Sequence, residues 1–238
     1  MTRSDKPWAV VVTAVVCTLV ALGALVTAGV LRHERASSPG PEETTPPPAT
    51  TSGVGADGCL TEPCAVVGPV PIGGTTVQLV ADAGGGSGRL QIGGGGASDV
   101  IEVTITKLGA VLGPDALECA GGSLSACVVR GMTADGMLGQ VVVGRSEKWA
   151  SLEKPFASDA GFVGVQEVTG RYPGPEVLVA QHRCDPAATA NCGNTRVYVQ
   201  VFALGSESLG CTRNYARLES VPGWPAVDLA DATLRPCE

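Results

Sequence analysis

The sequence predicts an all-β extracellular domain, an antiparallel sandwich or a small propeller-like sheet array, cross-linked by disulfides and preceded by one transmembrane helix. Three observations point there: an apolar run from Trp8 to Leu31, an even number of cysteines beyond it, and period-two alternation of apolar residues in the strongest segments of residues 55–238.

The run from Trp8 to Leu31 contains no charged residue and no proline. As a helix rising ~1.5 Å per residue it spans ~36 Å, enough to cross a ~30 Å hydrocarbon core with some tilt. A secretory signal has a shorter apolar core of ~7–15 residues, so an uncleaved signal anchor is expected, with cleavage after Val26-Thr27-Ala28 as the alternative. Cys17, within the run, reads as a small apolar residue. Positive charge lies on both flanks, at Arg3 and Lys6 and at Arg32 and Arg35, so orientation rests more on the segment C-terminal to the run. Residues 37–54, SSPGPEETTPPPATTSGV, cannot bury a core and read as a solvated spacer. The expected organisation is a cytoplasmic tail at 1–7, a transmembrane anchor at 8–31, a disordered Pro/Ser/Thr-rich stalk at 32–54 and a β domain at 55–238. The chain would then be single-pass in the plasma membrane, with residues 32–238 outside. Its richness in Ala, Val and Gly and scarcity of Lys resemble exported proteins of high-GC Gram-positive bacteria.

Beyond the anchor lie Cys59, Cys64, Cys119, Cys127, Cys184, Cys192, Cys211 and Cys237. Eight cysteines allow 105 pairings. Spacing favours close pairs: 59 with 64, 119 with 127, 184 with 192, and 211 with 237. The middle two bracket small-residue loops, AGGSLSA and DPAATAN, as a bond across a hairpin base would. In the loop-entropy picture such short loops stabilise by ~2–3 kcal/mol each. The competing reading is a zinc site using Cys184 and His182, but no Cys-x-x-Cys pair occurs. No metal and no cofactor are expected.

Residues 55–238 carry 12 Lys and Arg against 19 Asp and Glu, a net charge of −7, without a basic cluster. That argues against nucleic acid and anionic lipid as partners. The whole chain has only three each of Phe, Tyr and Trp, so its core must be aliphatic and disulfides have stabilising work to do.

Strands are expected at Thr76–Val80, Arg89–Ile92, Asp99–Thr106, Cys127–Arg130, Gln140–Gly144, Phe162–Val168, Glu176–His182 and Arg196–Leu204. In Asp99–Thr106, Ile101, Val103 and Ile105 share one face. In the last segment both faces are partly apolar, which predicts a central strand. Short helical patterns fall at Glu147–Glu153 and Val227–Leu234. The glycine runs 84–88 and 93–96 lack the Gly-Lys-Ser/Thr ending of a phosphate loop and read as turns.

Residues 129–143, VRGMTADGMLGQVVV, and 165–179, VQEVTGRYPGPEVLV, form a weak repeat offset by 36, with Val129/Val165, Thr133/Thr169, Val141/Val177 and Val143/Val179 identical. With its lead-in the second copy, GFVGVQEVTGRYPGPEVLV at 161–179, resembles the FG-GAP/VCBS type of propeller repeat. In that family an acidic Asp-x-x-Gly-Asp-Gly loop joins two strands, often binds calcium, and the blades display interaction surfaces. Here Glu167 and Arg171 stand where acidic ligands would be, and the first copy offers only Asp135. The resemblance therefore implies a strand-loop-strand unit and no metal ligands.

Chemistry-bearing residues are sparse. His182 is a nominal general base, but no Gly-x-Ser-x-Gly elbow accompanies it and Asp185 follows within three residues. Asp135, Glu167 and Glu176 are the nominal acids for a hydrolase. The segment Cys211–Cys237 differs in character. It holds Tyr215, Trp224 and the stiff VPGWPAVD stretch, and Trp224, rimmed by Tyr215, Arg213 and Arg217, is the predicted binding anchor. The alternative is that Trp224 plugs the end of the sheet. The expected function is a non-catalytic, membrane-anchored module that binds an envelope protein or glycan. A secreted-type hydrolase using His182 or a carboxylate pair, and a structural spacer, are the alternatives.

Overall fold

The computed structural model describes residues 59–93, 99–145, 148–184, 192–230 and 232–237. The predicted tail, anchor and stalk lie outside these residues. Among those described, no helix is long and apolar enough to cross a membrane.

The described residues form three antiparallel sheets. The first runs in order β1 (Ala65–Ile72), β2 (Thr75–Ala81), β3 (Gly88–Ile92) and β4 (Asp99–Glu102). The second is β5 (Val111–Ala120), β6 (Ser125–Thr133), β7 (Gly136–Arg145) and β8 (Lys148–Ser151), with β9 (Phe156–Ser158) also pairing β7. The third is β10 (Val163–Gln166), β11 (Glu176–His182), β12 (Val197–Phe202) and β13 (Ser208–Cys211). Each sheet is a meander of sequence neighbours, and β5 lies against both β1 and β10.

Alternation assigns each side chain to a layer. On β6, Cys127 and Val129 enter the core shared with the first sheet, where Leu79, Leu90 and Ile105 are fully buried. Their neighbours Ala126 and Val128 enter a second core with Val163, Val165, Val177 and Val179 of the third sheet. Leu178 and Ala180 of β11 and Val197, Val199 and Val201 of β12 point the other way, onto Tyr215, Val221 and Leu229 of the chain's last segment. The molecule thus layers sheet, sheet, sheet and C-terminal cover. Two-sided burial explains why β6, β11 and β12 read as apolar on both faces, and β12 is interior to its sheet, as expected.

The layers approach closely at Gly139 on β7. A Cβ there would meet Val163 Cγ1 at 2.6 Å and Val128 Cγ2 at 3.1 Å, so the sheet spacing requires a bare backbone. The first glycine run is a docked turn. Gly85 (φ +71°) accepts from the Leu112 amide at 3.0 Å, tying the β2–β3 connection to β5.

Several expectations need correction. The run Asp99–Thr106 ends as a strand at Glu102 and continues as a 3-10 turn at Thr104–Leu108. The cause is Gln140, whose Oε1 accepts from Thr104 N (2.6 Å) and Oγ1 (3.0 Å) and whose Nε2 donates to Glu102 O (2.9 Å). Val103 and Ile105 remain buried. Of the helical pattern at Glu147–Glu153, Glu147 lies outside the described residues and Lys148–Ser151 is strand β8, because pairing with β7 places Trp149 over Gly144. Within Val227–Leu234, the described residues form no helix; the Ala232 amide closes a turn on Leu229 O, and Val227, Leu229, Ala232 and Leu234 pack into the core beside the third sheet. Strand β1 was unanticipated because AVVGPVPI contains two prolines, which an edge position tolerates. Gly113-Pro114 likewise hides β5, which carries a bulge between Leu112 and Leu117. The copies of the sequence repeat are not equivalent: one joins the second and third strands of its sheet, the other the first and second, and Val129 pairs Gln140 whereas Val165 pairs Val177.

The four cysteine pairs favoured by spacing lie at disulfide distance, with Cα separations of 5.8, 4.0, 5.4 and 5.1 Å in chain order. Cys119–Cys127 joins directly opposed residues of β5 and β6.

Candidate functional site

The last segment leaves β13 at Cys211, covers the third sheet and returns. It is stitched down at both ends. Tyr215 exchanges backbone hydrogen bonds with Val197 (2.7 and 3.0 Å), and Arg235 exchanges two of 2.8 Å with Cys211. The Cys211–Cys237 bond closes the loop. Between them, Leu229 is buried and its amide donates to Gln166 Oε1.

This path leaves a groove of about 520 Å³, walled by Arg213, Tyr215 and Thr212 on one side, by Pro222, Gly223 and Asp228 on another, and closed by Ala232, Thr233 and Arg235. The Arg213 guanidinium lies 5.2 Å from the centre of the buried Tyr215 ring. Asp228 accepts from Gln166 Nε2 (2.7 Å) and the Ala230 amide (3.1 Å). The Ala230 amide first, and then Gln166, hold its carboxyl below the ordinary carboxylate range. Thr212, Arg213 and Arg235 also line an adjoining cavity of about 290 Å³, together with Arg183, Tyr198 and Asn214. Among the described residues, no carboxylate lines that second cavity. Across Ala232 and Thr233 a further groove of about 490 Å³ carries Arg171, Tyr172 and Glu207.

Of the four predicted binding residues, the structure brings Arg213 and Tyr215 together in the groove wall. Arg217 is exposed and outside the grooves described. Trp224 is half-buried, packs edge-on against Phe162 at 6.0 Å, and belongs to the core under the C-terminal cover. Arg235 was not anticipated, although its position was legible. It stands two residues before Cys237 as Arg213 stands two after Cys211; the backbone bridge sets Arg235 opposite Cys211, and both arginines line the groove.

The nominal catalytic residues do not converge. Glu176 begins β11 and His182 ends it, ~20 Å apart at ~3.3 Å per residue. Glu176 is fully buried and accepts from Val168 N (2.8 Å), Thr169 N (3.2 Å) and the Thr169 hydroxyl. It therefore organises the loop between β10 and β11 from within. Glu167 is exposed on that loop, and Asp135 is exposed at the β6–β7 turn, in a cavity of about 320 Å³ with Asp159. His182 donates its backbone N–H to Asp159 Oδ1 (2.7 Å), and its Nδ1 is buried without a hydrogen-bond partner among the described residues. Asp185 lies outside the described residues. Asp159, Cys184 and Cys192 cluster within 4.8 Å, but paired sulfurs offer no thiolate to a metal.

Comparison with known protein families, curated proteins and solved structures returns no match to this chain.

Proposed function

We propose that this chain is a membrane-anchored extracellular interaction module: residues 8–31 hold it to the plasma membrane, residues 32–54 lift the β domain away, and the groove under the C-terminal segment engages an envelope protein or glycan. The observation that carries this reading is the contrast between sites. The groove is open and framed by a disulfide and paired backbone. The acids that a hydrolase would need are instead buried and engaged, as at Glu176, or exposed and apart, as at Asp135 and Glu167. The three meanders, with β5 between β1 and β10, further favour a propeller-like array, and the likeness of residues 161–179 to an FG-GAP/VCBS repeat fits a surface built for display.

The test compares full-length wild type with Arg213→Gln and His182→Ala in binding to purified cell-wall and membrane-protein fractions, with hydrolysis products assayed in the same samples. The module reading expects binding weakened by Arg213→Gln, untouched by His182→Ala, and no product. Products lost in His182→Ala would favour the hydrolase; no binding at all would favour the spacer.

A further inference from the structure

We propose that the paired cavities around Arg213 and Arg235 form a binding site for an acidic carbohydrate, a hydroxyl-rich body carrying carboxylate or phosphate groups. This rests on the module reading and adds the chemistry of its ligand.

The smaller cavity is lined by Arg213 and Arg235, with Arg183, Asn214 and Tyr198 around them. Against a net charge of −7, three arginines around one cavity are a local concentration of positive charge, and among the described residues no carboxylate lines it. Arg213 and Arg235 have no salt bridge to a carboxylate among the described residues, where the ion pairs are Lys107–Glu102 and Arg130–Glu118. Both side chains are exposed, while their backbones are fixed by the Cys211–Arg235 and Val197–Tyr215 bridges. Planar forks on a braced backbone suit bidentate recognition of carboxylate or phosphate oxygens.

The larger groove continues from the same two arginines and changes character. Asp228 is held ionised there and acts as a hydrogen-bond acceptor, with the Thr212 and Thr233 side chains nearby. An acceptor beside an anion site suits hydroxyl groups attached to the anion.

The experiment measures affinity of the full-length chain for polygalacturonate and for poly(glycerol phosphate), which separate carboxylate from phosphate as the recognised group. Dextran, the neutral control, and poly-L-glutamate are measured alongside. Arg213→Gln and Arg235→Gln are compared with wild type, and thermal midpoints verify folding. The expected result is binding of at least one acidic carbohydrate, weakened roughly tenfold or more in each variant as charge-assisted bonds are lost, and weakened by added salt. Equal binding of dextran, stronger binding of poly-L-glutamate, no binding of either acidic carbohydrate, or unchanged affinity in folded variants would each overturn the inference. Release of reducing ends or phosphate from a bound probe would overturn the non-catalytic reading while leaving the anion site standing, so the two fail separately.

Discussion

Glu176 and Asp82 show how single carboxylates hold this structure together. Glu176 gives the loop at 167–175 a buried acceptor for two amides and a hydroxyl. Replacing it by Ala strands those donors away from water, at about 1–3 kcal/mol per unsatisfied group. We expect Glu176→Ala to lower stability by at least that much in urea unfolding, and Glu176→Gln, which keeps an acceptor, to cost less. Asp82 is buried and takes the Leu60 amide at 2.7 Å. Burial works to raise its carboxyl, but hydrogen bonds from Ser87, Leu60 and Thr61 and the charge of Arg89 outweigh burial and hold it below its ordinary 3.8. Because the folded value is depressed, the stability it contributes is present above 3.8 and is lost as pH falls through the folded value. A thermal scan from about pH 5 to about pH 2.5 should show a falling midpoint in wild type and a shallower fall in Asp82→Asn. Neither role is legible in the sequence. There Glu176 is only an acid heading an aliphatic strand, and Asp82 carries no signal because its partners are set by the fold.

At the scale of elements, interleaved side chains separate the sheets, and the spacing is set by what each strand sends to either side. Gly139→Ala pushes a methyl into Val163 and Val128; overpacking of this kind costs about 1–3 kcal/mol. Leu178→Ala empties a position that is 1% exposed beneath the C-terminal cover, and such truncations cost about 2–5 kcal/mol. Chemical denaturation of both variants checks these values, and a neutral Gly139→Ala would mean the second and third sheets do not approach as described. Strands with clean alternation, such as Thr76–Val80 and Arg89–Ile92, are readable because local pattern and final environment agree. Strand β1 is hidden by proline, and β8 by a helix-like pattern that cross-strand pairing of Trp149 overrides. The end of β4 depends on Gln140, 36 residues away from Thr104; a side chain that distant breaks a strand without any trace in the strand's own sequence.

At the scale of the whole molecule, a covalent frame carries the proposed binding surface. Cysteine spacing reveals the pairing because each bond joins near neighbours in sequence, whereas the groove arises only when the tail has been laid across the third sheet. Arg213 and Tyr215 are readable as part of it through their place inside the Cys211–Cys237 loop. Trp224, which a search for an interface anchor singles out, serves the core against Phe162. The Cys211–Cys237 bond should therefore matter to ligand capture beyond its stability. The Cys211→Ala/Cys237→Ala double variant should lose about 2–5 kcal/mol and lose groove binding even at temperatures where the sheets stay folded, as near-ultraviolet dichroism and binding measured together would show. The frame, the proposed export of the domain and the groove share one chemical signature, the oxidation state of nine cysteines. The most direct test is alkylation of the denatured full-length chain, isolated from membranes of an exporting host, with the modified cysteines mapped by mass spectrometry. A disulfide-framed, exported domain predicts one modified cysteine, Cys17. Modification of Cys211 and Cys237, or of any other pair beyond residue 55, would contradict it.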